Sequence, residues 1–106
     1  VYKRQVWGAF LAMAHLARGE PDRARANALT ACAEDDRLHL PRLALAGAEV
    51  VLEDTDAARR AVRECLRVRP DLDRIEVESM LGRRIGGVVL GLMDEARGQT
   101  GDTATR

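Results

Sequence analysis

The sequence predicts an all-α fold built of antiparallel helical hairpins, and three observations lead there. The apolar 46% of the 106 residues is mostly Ala, Leu and Val, with only Tyr2, Trp7 and Phe10 aromatic. A core of that composition packs by close approach of small side chains, which favours helices. No stretch sustains the period-two alternation of a half-buried strand. The chain also matches itself at an offset of 34 residues, which sets Leu11 on Leu45, Ala12 on Ala46, Ala14 on Ala48, Asp22 on Asp56, Ala24 on Ala58 and Arg25 on Arg59. Helix boundaries repeat at the same offset, so the match reads as a structural period. A chain of this length buries one core, and a single domain is expected.

Residues 6–18 are apolar enough for a buried first helix. Gly19 suits its end, because a residue without Cβ enters the left-handed conformation freely. Pro21 is placed to open the second helix, which reads from 22 to 33, and Glu34-Asp35-Asp36 makes a polar loop. Pro41 starts a third helix running to about Leu52. Thr55 or Asp56 caps a fourth over 56–68, and Pro70 closes it. Asp73 with Glu76 forms an acidic version of a capping box for a fifth helix through Ile75, Met80 and Leu81. Gly82, Gly86 and Gly87 are expected to interrupt that helix, and a short last one over 88–97 ends at Gly98. Residues 98–106, polar and rich in Thr and Gly, read as a disordered tail.

The first five residues differ from the rest. Val1-Tyr2-Lys3-Arg4-Gln5 holds the only Lys and the only Tyr, with no initiator Met before it. It resembles one reading frame of the transposase adapter used to prepare sequencing libraries, a peptide found on proteins assembled from environmental reads. That resemblance implies a technical scar over 1–5, a natural sequence starting at Val6 and a missing upstream part. Without Lys3 and Arg4, the balance of 17 basic and 17 acidic groups becomes 15 against 17, a net of −2. Neither balance gives a field that would draw in nucleic acid or an anionic membrane from a distance. Abundant Arg and Ala without other Lys then points to a GC-rich genome, a matter of codon supply and not of function.

Two hairpins at this period resemble tetratricopeptide repeats. The family places small residues where its helices cross, and here those points hold Ala12, Ala24 and Ala31, then Ala46, Ala58 and Cys65. Leu11 and Leu45 stand where a large apolar residue wedges between the helices, and Arg67-Val68-Arg69-Pro70-Asp71-Leu72 resembles the junction between repeats. The chain departs from the family at Gly8, His15, Ala28, Arg42, Glu49 and Val62, where bulky or aromatic residues are usual; Trp7 is expected to fill the first gap from one position away. The resemblance implies one repeat over 6–37, a second over 38–72 and capping helices over 73–97 that cover the last apolar face. The stretch from Pro70-Asp71 to the last helix also resembles the end of bacterial multidomain proteins in which such repeats follow a class III nucleotide cyclase or a winged-helix regulator.

Candidate chemistry is sparse. His15 lies among apolar neighbours and His39 at a junction, neither with Cys or carboxylates at ligand spacing on its helix face, so both read as packing or surface residues and no metal site is expected. Cys32 and Cys65 occupy near-equivalent places in their repeats and read as buried free thiols, which with no visible secretion signal suggests the cytoplasm, although a signal upstream of Val6 would be missing. Ser79, the only serine, has no His or Asp beside it. The glycines at 82, 86 and 87 follow no strand and precede no Lys, unlike a phosphate loop. No catalytic residue and no cofactor is expected. The longest apolar run, 6–17, is 12 residues and too short to span a bilayer.

The function expected is therefore a non-catalytic protein-interaction or scaffolding module, a piece of a longer stack. The resemblance implies that the first helix of each hairpin lines a groove of Ala9, Met13, Leu16, Leu43, Gly47 and Val50. These apolar positions suit an amphipathic helix or hydrophobic peptide. They suit packing against upstream repeats or an upstream domain of the same chain equally well. Two further readings are a regulatory tail of an enzyme such as the cyclase, and a nucleic-acid-binding regulator using Arg59, Arg60, Arg63, Arg67 and Arg69. Acidic neighbours and the lack of interleaved aromatics favour a solvated outer face for those arginines.

Overall fold

A computed structural model describes the backbone of residues 2–34 and 37–98, with side chains from Val6 onward. Five helices follow in order: α1 (Tyr2–Ala17), α2 (Pro21–Glu34), α3 (His39–Val51), α4 (Thr55–Val68) and α5 (Arg74–Gly98). The described residues contain no strand. The all-α architecture is the one that the small apolar residues and the 34-residue offset predict. Residues 2–5 continue α1 without a break, and the expected tail beyond Gly98 lies outside the described residues.

The connections obey local backbone rules. Gly19 ends α1 at φ 75°, and Pro21 begins α2, where the N–H it lacks would have had no helical partner. The α4 cap is Asp54, one residue before the expected Thr55 or Asp56. Its carboxylate accepts from Ala57 N at 3.1 Å while Glu53 before it takes a left-handed φ of 60°. Asp73 caps α5 as expected, accepting from Glu76 N at 2.9 Å.

α5 departs from expectation in one respect. Its single break is Gly82, at φ 81° and ψ 173°, which folds 74–81 back on 83–98 as a hairpin. Gly86 and Gly87 lie inside the second arm and do not interrupt it. Gly86 lets the arms meet, since a Cβ there would come within 3.4 Å of Glu78 Cα. Arg97 fastens the end of the second arm to the start of the first by donating to Leu72 O at 2.8 Å and Pro70 O at 2.9 Å.

Packing follows the order of the chain. α1 pairs with α2 and α3 with α4, α3 lies against both α1 and α2, and α5 lies against α3 and α4. All six predicted contact residues, Ala12, Ala24, Ala31, Ala46, Ala58 and Cys65, are buried to 2% exposure or less. Two clusters form the core. The first is all alanine, Ala12, Ala24, Ala28, Ala44 and Ala48, edged by Met13, Leu16 and Leu45. The second, between α3, α4 and α5, holds Leu43, Val62, Leu72, Val77, Leu81, Val89 and Met93. Burial stabilises in proportion to apolar area, roughly 25 cal/mol per Å², so the second cluster is the stronger anchor. Of the two wedge residues, Leu45 packs on both clusters. Leu11 does not, remaining 38% exposed at the outer edge of the α1–α2 seam. Trp7 fills no gap and stays 63% exposed, because Gly8 already brings α1 so close to α2 that a Cβ on it would lie 3.1 Å from that of Ala31.

Candidate interaction surface

The six residues expected to line a groove differ in their exposure. Ala9, Leu43 and Gly47 are buried, and Met13, Leu16 and Val50 are half-buried. The cover over α3 is the chain's own α5 hairpin. A Cβ on Gly47 would stand 2.8 Å from Leu81 Cδ2, 3.2 Å from Leu16 Cδ1 and 3.4 Å from Ile85 Cγ2. What stays open is a cavity of about 250 Å³ where Met13, Leu16 and Ala17 face Met80, Leu81, Gly82 and Ile85. Over Leu43 and Gly47 the seam is thus sealed by α5, while Met13 and Leu16 border that cavity.

Exposed apolar side chains remain on several helices, Leu29 on α2, Val51 on α3 and Ile75 and Val88 on α5 among them, and three stand near one another on α1. Trp7, Phe10 and Leu11 are 63%, 45% and 38% exposed, and Trp7 and Leu11 edge a shallow depression of about 180 Å³ shared with Asn27, Thr30 and Ala31 of α2. Residues 6–17 are apolar on every side except at His15, and a helix of that kind packed on one side must leave its other side uncovered. That signal was present in the sequence. The helix expected to be buried is therefore buried on one side only.

The arginines of α4, with Arg69 just after it, are divided. Arg59 pairs with Glu95 at 2.8 Å, Arg67 with Glu64 at 3.0 Å, and Arg69 with Asp71 at 3.0 Å and Glu76 at 3.3 Å. Arg60 and Arg63 are exposed and engage no carboxylate among the described residues. Three of the five arginines of the expected basic face therefore have a carboxylate beside them within the fold.

The titratable groups are structural. His15 Nδ1 donates to Glu20 at 2.7 Å, a bond that holds the Glu20 carboxyl below its usual range with help from Arg18 and Arg23. His39 at the start of α3 donates from Nε2 to Glu76 at 2.5 Å, tying α3 to α5. Glu49 is buried and accepts from Arg25 Nε at 3.0 Å, which joins α3 to α2. Burial pushes the Cys65 thiol up to about 12, and its Sγ lies 3.6 Å from His39 O. Burial also raises the Cys32 thiol. Neither thiol is a thiolate near neutral pH, so neither is armed as a nucleophile. Ser79 is exposed beside Ile75, Glu78 and Arg83, a surface that no histidine lines.

Among the described residues no three His, Cys, Asp or Glu side chains gather where they could hold a metal ion, and no helix is long and apolar enough to cross a membrane. No protein-family model, curated protein or solved structure matches the chain.

Proposed function

We propose that the chain is a non-catalytic protein-interaction module of tetratricopeptide-like hairpins, and that its contact surface is the outer face of α1. The observation that carries this reading is the row of Trp7, Phe10 and Leu11, exposed side by side on a helix with no charged residue between 6 and 17. Exposed large aromatic side chains, here with Trp7 at the edge of a shallow depression, are the groups that anchor protein interfaces. The repeat assignment is supported by the pairing order of the helices and by the six small residues at their crossings. The partner is an amphipathic helix, whose apolar stripe would cover Trp7 and Leu11. The free thiols Cys32 and Cys65 fit a reducing compartment such as the cytoplasm.

Selecting a displayed library of random peptides on the full chain tests this reading. Enrichment of sequences with apolar residues at i, i+3, i+4 and i+7, which lose binding to a Trp7→Ser/Leu11→Ser variant, is the expected result. An empty selection, or binders indifferent to that double substitution, contradicts it.

A further inference from the structure

A second surface lies away from α1, at the seam between α4 and the far arm of α5. It is a cavity of about 380 Å³ lined by Arg63, Leu66, Arg67, Pro70, Ala96 and Arg97. Its chemistry is lopsided: three guanidinium groups stand around Leu66, Pro70 and Ala96, and no carboxylate lines it. The three arginines are held differently. Arg97 is fixed in place by its bonds to Pro70 O and Leu72 O. Arg67 is 56% exposed and its pair with Glu64 at 3.0 Å lies at the surface, where such a pair contributes little and exchanges readily. Arg63, one turn earlier on the same face, is exposed with no carboxylate partner among the described residues.

We infer that this seam binds an acidic segment of a partner protein, with a Glu or Asp side chain received by Arg63 and Arg67 and a neighbouring aliphatic side chain laid on Leu66, Pro70 and Ala96. Charge complementarity selects the anion, since a guanidinium offers paired donors to a carboxylate. The aliphatic floor selects a peptide over a nucleic acid, because it holds no aromatic ring on which a base could stack. This inference rests on the reading of the chain as an interaction module, but it uses a surface that shares no residue with the α1 face.

The test is fluorescence anisotropy on the full chain with three labelled probes. One is a dodecapeptide of Gly and Ser around a central Glu-Leu-Glu, which offers no apolar helical stripe to α1, the second its Gln-for-Glu counterpart, and the third a single-stranded DNA 12-mer. The Glu peptide is expected to bind, and the Gln peptide or the Arg63→Gln variant to weaken binding about tenfold, as loss of one charge-assisted hydrogen bond does. Arg83→Gln, on another exposed surface, is expected to leave binding unchanged, as is the Trp7→Ser/Leu11→Ser variant. Equal binding of the Glu and Gln peptides, indifference to Arg63→Gln, or tighter binding of DNA than of the Glu peptide would overturn the assignment. Loss of Glu-peptide binding in the Trp7→Ser/Leu11→Ser variant would also overturn it, because the peptide would then be held at α1. Failure of the α1 selection alone, with Arg63-dependent peptide binding intact, would remove the α1 surface and leave this one standing.

Discussion

Gly82 is the hinge on which the cover over α3 depends, and replacing it with Ala isolates the cost of that hinge. Its φ of 81° and ψ of 173° fall in a region open essentially to glycine alone. A Cβ there would meet nothing within 4 Å, so the substitution tests backbone conformation without any steric clash. Holding an alanine in that conformation costs roughly 1–3 kcal/mol. The stiffer unfolded chain returns about 0.4–1 kcal/mol, leaving a net loss of about 1–2 kcal/mol. For a domain of this size that lowers Tm by about 5–15 °C. Gly87→Ala is the matched control: Gly87 lies within the second arm of α5 and also has open space where its Cβ would be. There the change is expected to stabilise by about 0.5–1 kcal/mol, since glycine is the poorer helix former. Thermal unfolding followed by circular dichroism at 222 nm reads both. If Gly82→Ala raised Tm as Gly87→Ala does, residues 74–98 would be one continuous helix, and the hairpin that seals α3 would not exist.

Three further outcomes are expected. The largest fully buried side chains, Leu43, Val62, Leu72, Val77, Val89 and Met93, all come from α3 onward, while the first cluster is alanine. Amide hydrogen exchange should therefore show α1 and α2 opening at lower free energy than α3 and α4, and uniform protection would contradict that division. In Arg25→Met, the buried Glu49 carboxylate loses its 3.0 Å partner. Because Arg25 is half exposed, the expected cost in urea unfolding is about 1–3 kcal/mol, partly restored by adding Glu49→Met. The Cys65 thiol, raised to about 12 in the fold against an ordinary value of 9.0, remains protonated in the folded state across a range in which the unfolded chain ionises. Its contribution is then complete below about pH 9 and fades as pH rises toward 12. Tm should fall less steeply over that interval in Cys65→Ala, and a thiol reagent at pH 8 should reach Cys65 only after denaturant is added.

What could be read from the sequence was what depends on neighbouring residues. Gly19, Pro21 and Pro70 punctuate helices through their own backbone preferences, and the structure leaves Gly19 and Pro70 outside helices and starts α2 at Pro21. The 34-residue offset identified the contact alanines because a helix crossing tolerates nothing larger at Ala12, Ala24, Ala46 or Ala58. The Asp54 cap was displaced by one residue because Thr55 and Asp56 are equally suited to capping, and only the left-handed Glu53 decides between them. Gly86 and Gly87 gave a false helix break for a different reason. A glycine that lets two helices touch has the same sequence signature as one that ends a helix, and Gly86 is of the first kind. The cover over Gly47 was not legible because it comes from Leu81 and Ile85, more than thirty residues away along the chain. With α5 over α3, Trp7, Phe10 and Leu11 are left exposed together on one helix.

The most direct measurement of that arrangement is methyl and indole NMR on the full chain with a soluble paramagnetic probe, which broadens signals according to their access to solvent. Strong broadening of the Trp7 indole and the Leu11 methyls is expected, with Leu43 and Leu81 methyls unaffected. Broadening of Leu43 and Leu81 with protection of Trp7 would contradict the sealed seam and the α1 contact surface together.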